Sequence, residues 1–116
     1  MLTVSWIKCG NGANWCPFDT VNLSNVSVMG VYIIWHEGNP GRVVYVGQGD
    51  VVARITTHRR DSRITDYEKQ GRLRVTWASV PAVQRDGVER YLADKWSPPV
   101  GDAHPVAAPI AVNSPW

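Results

Sequence analysis

The stretch VMGVYIIWHEGNPGRVVYVG, residues 28–47, decides the fold. It contains two apolar segments, Val28–His36 and Arg42–Gly47, which are rich in the β-branched and aromatic residues typical of strands. Between them lies EGNPG at 37–41, a run of turn-forming residues. Two strand segments joined by so short an interruption predict an antiparallel β-hairpin.

The hairpin is predicted to place two tyrosines on one face of the sheet. A four-residue loop at 37–40 sets Gly30 opposite Gly47, and the same register sets Tyr32 opposite Tyr45. The glycines carry no side chains, so a phosphate backbone could approach this part of the sheet closely. The alternative is an aromatic pair that only fills the core, beside glycines that only form bulges.

Beyond the hairpin, the apolar pattern alternates between helical and extended periods. Asp50 can cap a helix N-terminus, and Gly71 can end a second helix. Gly87 lies inside a third predicted helix and indicates close approach of another segment. The predicted elements are a helix from Asp50 to about Arg60, a helix over Asp61–Lys69, a strand over Arg72–Ser79 and a helix over 82–96.

The two ends of the chain have weaker patterns. Residues 3–8 alternate apolar and polar side chains, which predicts an edge strand, and residues 9–27 are dense in turn formers. Residues 97–116 contain five prolines, which prevent regular structure and predict an extended strap over the core. With 116 residues, we expect a single domain with an N-terminal extension at 1–27.

Composition and cysteine content exclude several classes of protein. Hydrophobic residues make up 44% and charged residues 19% of the chain, which excludes a disordered tail, a collagen and a coiled coil. No apolar run approaches the roughly 20 residues that cross a bilayer, and no export signal is visible. Cys9 and Cys16 are too few for a disulfide framework or a four-thiolate zinc site. We expect a cytoplasmic protein without a membrane partner, and the redox state of the cysteines stays open.

Positive charge is concentrated in the middle of the chain. Residues 42–74 hold eight Lys or Arg against four Asp or Glu, whereas the segments on either side each carry a net charge of −1. A local basic field of this kind favours a polyanion such as nucleic acid as partner. The alternative is a solvated face that binds nothing.

Five sequence elements, taken in order, resemble the GIY-YIG endonuclease domain, with valine in place of the central isoleucine of both tripeptides. These elements are Gly30-Val31-Tyr32, Tyr45-Val46-Gly47, Arg54, Glu89 and Asn113. The resemblance covers roughly residues 28–113 and implies an α+β fold, a small three-stranded antiparallel sheet flanked by helices. That fold agrees with the order of elements predicted from the apolar pattern.

The resemblance implies metal-dependent hydrolysis of phosphodiester bonds in DNA, with RNA as the other possible substrate. Tyr32 would be the general base, with the positive charge of Arg54 favouring its ionised form. Arg54 would also bind the non-bridging phosphate oxygens. Glu89 would hold a single Mg²⁺, or Mn²⁺ in its place, because a hard carboxylate oxygen with water and phosphate suits such ions.

Other residues complete the predicted site. His58 lies one turn after Arg54 on the same helix face, so it could assist proton transfer or contact phosphate. Tyr45 could orient the water or the phosphate. Asn113 could position a ligand or Glu89, or it could only tie down the C-terminal strap.

The predicted nucleic-acid contacts lie mainly beyond the helix that carries Arg54. Three arginines there cannot all point into one site, so we assign them to the flanking phosphate backbone. The predicted nucleic-acid-binding residues are Gly30, Gly47, Arg59, Arg60, Arg63 and Asn113.

Each catalytic assignment has a structural alternative. Arg54 could pair with Asp50 one turn back, and Glu89 could pair with Arg85 at the same spacing. Tyr45 and His58 could simply pack or lie at the surface.

Two alternatives also concern the whole chain. It could be a non-catalytic nucleic-acid-binding module that retains the GIY-YIG fold, or a structural protein in which the motif is vestigial. The joint presence of Tyr32, Arg54 and Glu89 favours the enzyme, because a binding module does not need the metal carboxylate. Targeting could come from a homodimer, from a protein partner or from residues 1–27.

Overall fold

The structure is a computed structural model and describes residues 1–101 and 104–116. It is an α+β fold, which confirms the predicted class. The elements in chain order are β1 (Cys16–Pro17), β2 (Met29–His36), β3 (Arg42–Asp50), α1 (Val51–His58), α2 (Ser62–Thr65), a 3-10 helix (Asp66–Lys69), β4 (Leu73–Ser79) and α3 (Ala82–Trp96).

The antiparallel sheet has four strands in the order β1–β4–β2–β3, so the expected count of three is wrong. The additional strand is β1, in which Cys16 pairs with Val75 and Pro17 pairs with Arg74. Cys9 and Cys16 form a disulfide. A two-residue strand that contains proline has no alternating pattern, and for that reason the sequence showed only turn signals there.

The N-terminal segment follows the sheet without forming the predicted edge strand over 3–8. Leu2 forms a single bridge to Val112, and the Ile7 amide donates a hydrogen bond of 3.0 Å to the Trp77 carbonyl. The Thr76 hydroxyl in turn donates to the Ile7 carbonyl at 2.8 Å. Because its partners alternate between β4 and the C-terminal segment, this stretch makes no continuous ladder.

The hairpin forms, but its register is two residues from the predicted one. Tyr32 lies opposite Gly47, and Gly30 lies opposite Gly49. One residue of the difference comes from the loop, which has five residues between His36 and Arg42. The other comes from a register shift after Ile34, which leaves an extra residue in β3. A shift of two preserves the face of each side chain, because side chains alternate with a period of two.

Helix α1 begins at the predicted cap, Asp50, and α2 begins at Asp61, which was not predicted as a cap. The Asp50 carboxylate accepts a hydrogen bond from the Ala53 amide at 3.2 Å, and Asp61 accepts one from Arg63 at 3.0 Å. The helix predicted over Asp61–Lys69 is divided into α2 and the 3-10 helix. The Asp50 cap starts α1 directly after β3, and α1 then packs against the sheet.

The sheet separates two apolar layers, named here for the helix that each contains. In the α1 layer, Tyr32 from β2 packs with Ile55 of α1. In the α3 layer, Val31 from β2 packs with Val88 and Leu92 of α3. Neighbouring residues of β2 thus enter opposite layers, as the pleat requires.

Close approach at one predicted point is confirmed. A Cβ atom at Gly87 of α3 would lie 2.5 Å from Cγ1 of Ile110 in the Pro-rich C-terminal segment. The Ile110 amide donates a hydrogen bond of 2.9 Å to the Gly87 carbonyl. Glycine therefore lets the C-terminal segment lie directly on α3. Within the described residues, no helix combines the length and apolar character needed to cross a bilayer.

Candidate active site

Three rings meet in the α1 layer next to β3. The Tyr32 hydroxyl lies 2.7 Å from Nε2 of His58, at the end of α1. The Tyr32 and Tyr45 rings stack with centroids 6.0 Å apart, and the His58 ring lies 4.4 Å from that of Tyr45. The structure therefore brings together three predicted site residues that are up to 26 positions apart in the sequence.

Gly47 determines where the Tyr32 hydroxyl lies. A Cβ atom at Gly47 would lie 2.3 Å from the Tyr32 Oη, so any side chain there would displace the hydroxyl. The same glycine lines an open pocket beside β3. The role of Gly47 is therefore to make room for the phenol.

Gly30 has a different role from the predicted one. A Cβ atom there would lie 1.9 Å from the Ala78 carbonyl oxygen of the adjacent strand β4. Gly30 is also buried between its two partner strands. It permits close strand packing, and the structure gives it no exposed surface for a phosphate backbone.

The pocket is a depression of about 350 Å³ at the β3 edge of the sheet. It combines an arginine from α1 with a glutamate from α3, so the two apolar layers both contribute to it. The residues that line it are Tyr45, Val46, Gly47, Gln48, Arg54, Glu89, His104 and Pro105.

Two of the three rings, Tyr32 and His58, are held uncharged by burial. Burial, assisted by Tyr45, raises the pKa of Tyr32 far more than Arg54 lowers it. Arg54 does favour the ionised phenol, as expected, but burial outweighs it, so the pKa of Tyr32 is raised overall. Burial also lowers the pKa of His58 to about 4, and the charge of Arg54 acts in the same direction. At neutral pH a protonated phenol and a neutral imidazole share the hydrogen bond, and we assign the phenol as donor.

Arg54 is exposed on α1 and interacts with both tyrosines. The interaction with Tyr32 raises the pKa of its guanidinium, so Arg54 is charged under all ordinary conditions. Asp50, the alternative partner, instead caps the helix through the Ala53 amide. The positive charge of Arg54 therefore faces the pocket.

Glu89 is only 7% exposed and has a partner that the sequence did not reveal. His104 Nδ1 lies 2.8 Å from Oε2 of Glu89. The predicted alternative partner, Arg85, instead donates to the Val80 carbonyl at 2.8 Å. His104 follows α3 in the Pro-rich segment, where no spacing or period marks it as a site residue.

The acidic ligands for a metal are few. Among residues 1–101 and 104–116, no group of three or more His, Cys, Asp or Glu side chains could hold an ion. Glu89 offers one carboxylate, of which one oxygen bonds to His104. Mg²⁺ often binds through one or two carboxylates, with water and substrate phosphate completing its shell. The chemistry of the pocket therefore fits a magnesium site that relies on the substrate for ligands.

Arg59 was predicted to contact the flanking phosphate backbone, but its side chain is bonded within the protein. Its Nε donates to the Phe18 carbonyl at 2.9 Å, and its Nη2 donates to the Val21 carbonyl at 2.8 Å. Arg59 thus fastens the N-terminal extension to α1, and its side chain is not free for the phosphate backbone to which we assigned it. Arg60 and Arg63 are exposed, the latter paired with Asp61 at 2.8 Å.

Asn113 lies away from the pocket and uses both amide atoms. Its Oδ1 accepts a hydrogen bond from the Val4 amide at 2.7 Å, and its Nδ2 donates to the Val4 carbonyl at 3.0 Å. The Trp6 indole also donates to the Asn113 carbonyl at 2.8 Å. The geometry therefore supports the alternative in which this asparagine ties the ends of the chain together.

Comparison of the chain with protein-family models, with curated proteins and with solved structures finds no match.

Proposed function

We propose that this protein is an endonuclease of the GIY-YIG type, which hydrolyses phosphodiester bonds in DNA with Mg²⁺. The observation that carries the proposal is the pocket at the β3 edge. Tyr45, Arg54 and Glu89 line it, and the hydrogen-bonded Tyr32 and His58 lie directly behind Tyr45. A phenol can take part in proton transfer, a guanidinium can stabilise charge on the phosphate, and a carboxylate can hold a metal ion, and hydrolysis of a phosphodiester can use all three.

Arg54 is suited to the charge that develops on the phosphate. Its planar guanidinium can donate paired hydrogen bonds to two non-bridging oxygens. These bonds strengthen as negative charge grows in the transition state, so they accelerate the reaction more than they tighten ground-state binding.

Proton transfer can proceed without a free phenolate. Tyr32 is closed to solvent behind Tyr45, so this route requires that DNA binding open a path for the attacking water. As the water attacks phosphorus, its proton would pass to the Tyr32 oxygen while the Tyr32 proton passes to Nε2 of His58. The electron pair of the broken phosphorus–oxygen bond goes to the departing 3′ oxygen, and His58 ends as an imidazolium. Because Tyr32 stays neutral throughout, its raised pKa is compatible with this role.

Glu89 would hold the metal ion, Mg²⁺ or Mn²⁺. When bound, such an ion supplies positive charge that stabilises the reacting phosphate oxygens. His104 holds one oxygen of Glu89 and thereby fixes the direction of the carboxylate.

The second candidate is a nucleic-acid-binding module without catalysis. Two observations favour it: Tyr32 is fully buried, and Glu89 already has a protein partner in His104. Both candidates place DNA, or RNA, against Arg54 and the neighbouring exposed arginines.

We propose a cytoplasmic location, with DNA as the substrate. A second copy of the chain or a protein partner would direct the protein to its target on the DNA. Persistent disulfides are rare in reducing compartments. The Cys9–Cys16 pair is therefore expected to be reduced there, with β1 held by its pairing to β4.

The deciding experiment is cleavage of supercoiled plasmid with Mg²⁺, Mn²⁺ or EDTA. The parent protein should nick the plasmid only with metal. Glu89→Gln should lower the single-turnover rate roughly 100-fold or more, because a group that acts on the transition state is removed. DNA affinity should change little.

The matched control is Asp94→Asn, which removes an exposed carboxylate of the same helix, paired with Arg90. It should leave the rate unchanged. If Glu89→Gln cleaves as fast as the parent, the metal assignment is wrong. If the parent binds DNA and never cleaves it, the chain is the binding module.

A further inference from the structure

Four tryptophans line a second depression, at the opposite end of β3 from the pocket. Trp35 and Trp116 have ring centroids 4.6 Å apart, and Trp96 stacks on Trp116 at 5.5 Å. Trp15 meets Trp35 edge to face at 5.5 Å. The space they enclose with Arg42 and its neighbours is about 440 Å³. We name this depression the tryptophan groove.

The tryptophan groove is open to a ligand. Trp116 is 55% exposed, and Trp15 and Trp96 are only half-buried, so part of the indole surface is accessible to solvent. A cluster that served only as core packing would bury these rings, as it buries Trp35. Exposed indole faces side by side are costly in water unless something covers them.

The charges around the groove select an anion. Lys8 Nζ lies 4.5 Å from the Trp15 ring, and Lys95 Nζ lies 5.2 Å from the Trp96 ring. Arg42 lines the groove as an exposed third cation. A methylammonium ligand, the usual occupant of an aromatic cage, would be repelled by these groups. A ligand with flat rings and negative charge fits both features.

Among the described residues that line the groove, the side-chain carboxylate is that of Glu37, and it is paired with an arginine. Oε1 of Glu37 pairs with Nε of Arg74 at 2.8 Å. The described surroundings of the indoles are therefore cationic on balance. Stacked aromatic platforms flanked by cations are the physical means by which proteins bind unpaired nucleotides.

The groove lies within reach of the candidate active site. The groove includes the start of β3 at Arg42, and the pocket includes Gly47 of the same strand. Five residues of extended chain span roughly 15 Å, which a few nucleotides can cover.

We propose that the tryptophan groove binds unpaired bases of single-stranded DNA, on the strand that continues from the phosphate in the pocket. Its role in cleavage rests on the function proposed above, whereas binding itself does not. The substrate would then be DNA with an unpaired segment, such as a flap or a branch. Trp116 supplies the exposed indole surface on which a base stacks, and Lys8 and Lys95 contact phosphates.

The test is fluorescence anisotropy with labelled 12-nucleotide probes, in EDTA so that no cleavage occurs. An oligo(dT) probe and an abasic probe carry the same phosphates, but only the first has bases. The parent should bind oligo(dT) at least tenfold more tightly than the abasic probe. Trp116→Ala should weaken oligo(dT) binding by roughly 5- to 100-fold, the range for loss of base stacking. Trp116→Phe should restore most of it.

The control is Val83→Ala, which removes exposed apolar surface at the start of α3, outside the groove. It should bind like the parent, and circular dichroism should show both Trp116 variants folded. Equal binding of the two probes, or full oligo(dT) affinity in Trp116→Ala, overturns the proposal that the groove binds bases. Those results would leave plasmid cleavage intact. If the protein binds bases and never cleaves DNA, the proposed base-binding groove is supported and the proposed nuclease activity is refuted. An oligo(U) probe distinguishes RNA from DNA, and tighter binding of oligo(U) overturns the choice of DNA.

Discussion

Burial keeps both Tyr32 and His58 uncharged in the α1 layer. The phenol has no exposed surface, and its hydroxyl meets the imidazole at 2.7 Å. Neither group can ionise without losing solvation that the buried position does not replace. In the mechanism proposed above, the pair would relay a proton by exchange, and His58 would carry a charge only while the reaction proceeds.

Tyr32→Phe should reduce the rate much more than the stability. The change keeps the ring and its stacking on Tyr45 and removes only the hydroxyl. We expect a single-turnover rate lower by roughly 100-fold or more. The free energy of unfolding should fall by about 1–2 kcal/mol, because His58 loses its partner. Urea unfolding and rapid-quench cleavage measure the two quantities.

The control for this change is Tyr67→Phe, since Tyr67 stacks on His36 away from the pocket. It should cleave like the parent. A Tyr32→Phe protein that retains the parental rate would show that the hydroxyl takes no part in the chemistry.

His58 should make the fold less stable in mild acid. Its pKa is about 4 in the folded protein, below the ordinary value of 6.5. Between these values the unfolded chain binds a proton that the folded chain does not, so the free energy of unfolding falls as the pH decreases. At pH 5 the loss from this residue should approach roughly 2 kcal/mol relative to pH 7. Urea unfolding at both pH values checks it.

His58→Gln keeps a hydrogen-bond acceptor for Tyr32 and cannot titrate. The difference in unfolding free energy between pH 7 and pH 5 should shrink in this variant by the amount that His58 contributes. If the difference is the same in both proteins, the imidazole is not held neutral by its burial.

The segment from α1 to α2 presents its cations in two different ways. Arg59 turns back to hold the N-terminal extension, whereas Arg60 and Arg63 remain at the surface. The basic middle third of the chain is therefore partly structural. Only the exposed arginines can contribute to a field that attracts DNA.

Arg60→Ala with Arg63→Ala should weaken duplex DNA binding and reduce its dependence on salt. Removing one arginine–phosphate interaction lowers the slope of log affinity against log salt by about 0.9. The rate at saturating DNA should stay near the parental value, because neither residue lines the pocket. Filter binding at several salt concentrations measures the slope.

Arg90→Ala is the control, since it removes a partly exposed cation that pairs with Asp94 on α3, away from the α1–α2 segment. It should leave the slope unchanged. If the double variant on the α1–α2 segment also leaves affinity and slope unchanged, DNA binds elsewhere on the molecule.

Local patterns predicted the elements well. The hairpin strands and the cap at Asp50 follow from strand propensity and capping chemistry, which act over a few residues. The register could not be predicted in the same way. It depends on the length of the loop and on an extra residue after Ile34, and neither changes the apolar alternation that the sequence displays.

Long-range partners explain what the sequence missed at the site. His104 reaches Glu89 across 15 residues, from a proline-rich segment without any period. Gly30 and Gly47 were both predicted to contact nucleic acid, but in the structure each makes room for a different atom: the Ala78 carbonyl oxygen for Gly30 and the Tyr32 hydroxyl for Gly47. Residue type indicated the candidates, and only the tertiary structure separates their roles.

At the scale of the molecule, the two ends of the chain close on each other. Leu2 bridges to Val112, and Asn113 holds Val4 through two hydrogen bonds. The C-terminal segment therefore holds the start of the N-terminal extension against the α3 layer, where Leu2 and Val4 pack.

Asn113→Ala should destabilise the fold and leave DNA binding unchanged. Two hydrogen bonds are removed, and the Val4 backbone is left partly buried without partners, which should cost about 1–3 kcal/mol. Urea unfolding measures the loss. Asn22→Ala is the matched control, because the Asn22 side chain bonds only to the nearby Ser24 amide at an exposed site. A drop in DNA affinity at unchanged stability would show that Asn113 contacts nucleic acid, as the sequence analysis predicted.

The pocket lies where the two apolar layers meet at the edge of β3. Arg54 and the tyrosines belong to elements that pack in the α1 layer, and Glu89 belongs to α3 in the other layer. The spacing between the charge-stabilising groups is therefore set by the alignment of two cores that pack independently against the sheet. Replacing a methyl group deep in either core would alter the rate without touching a polar atom. Warming that loosens one layer would likewise stop catalysis while the secondary structure is still intact, so inactivation would precede melting.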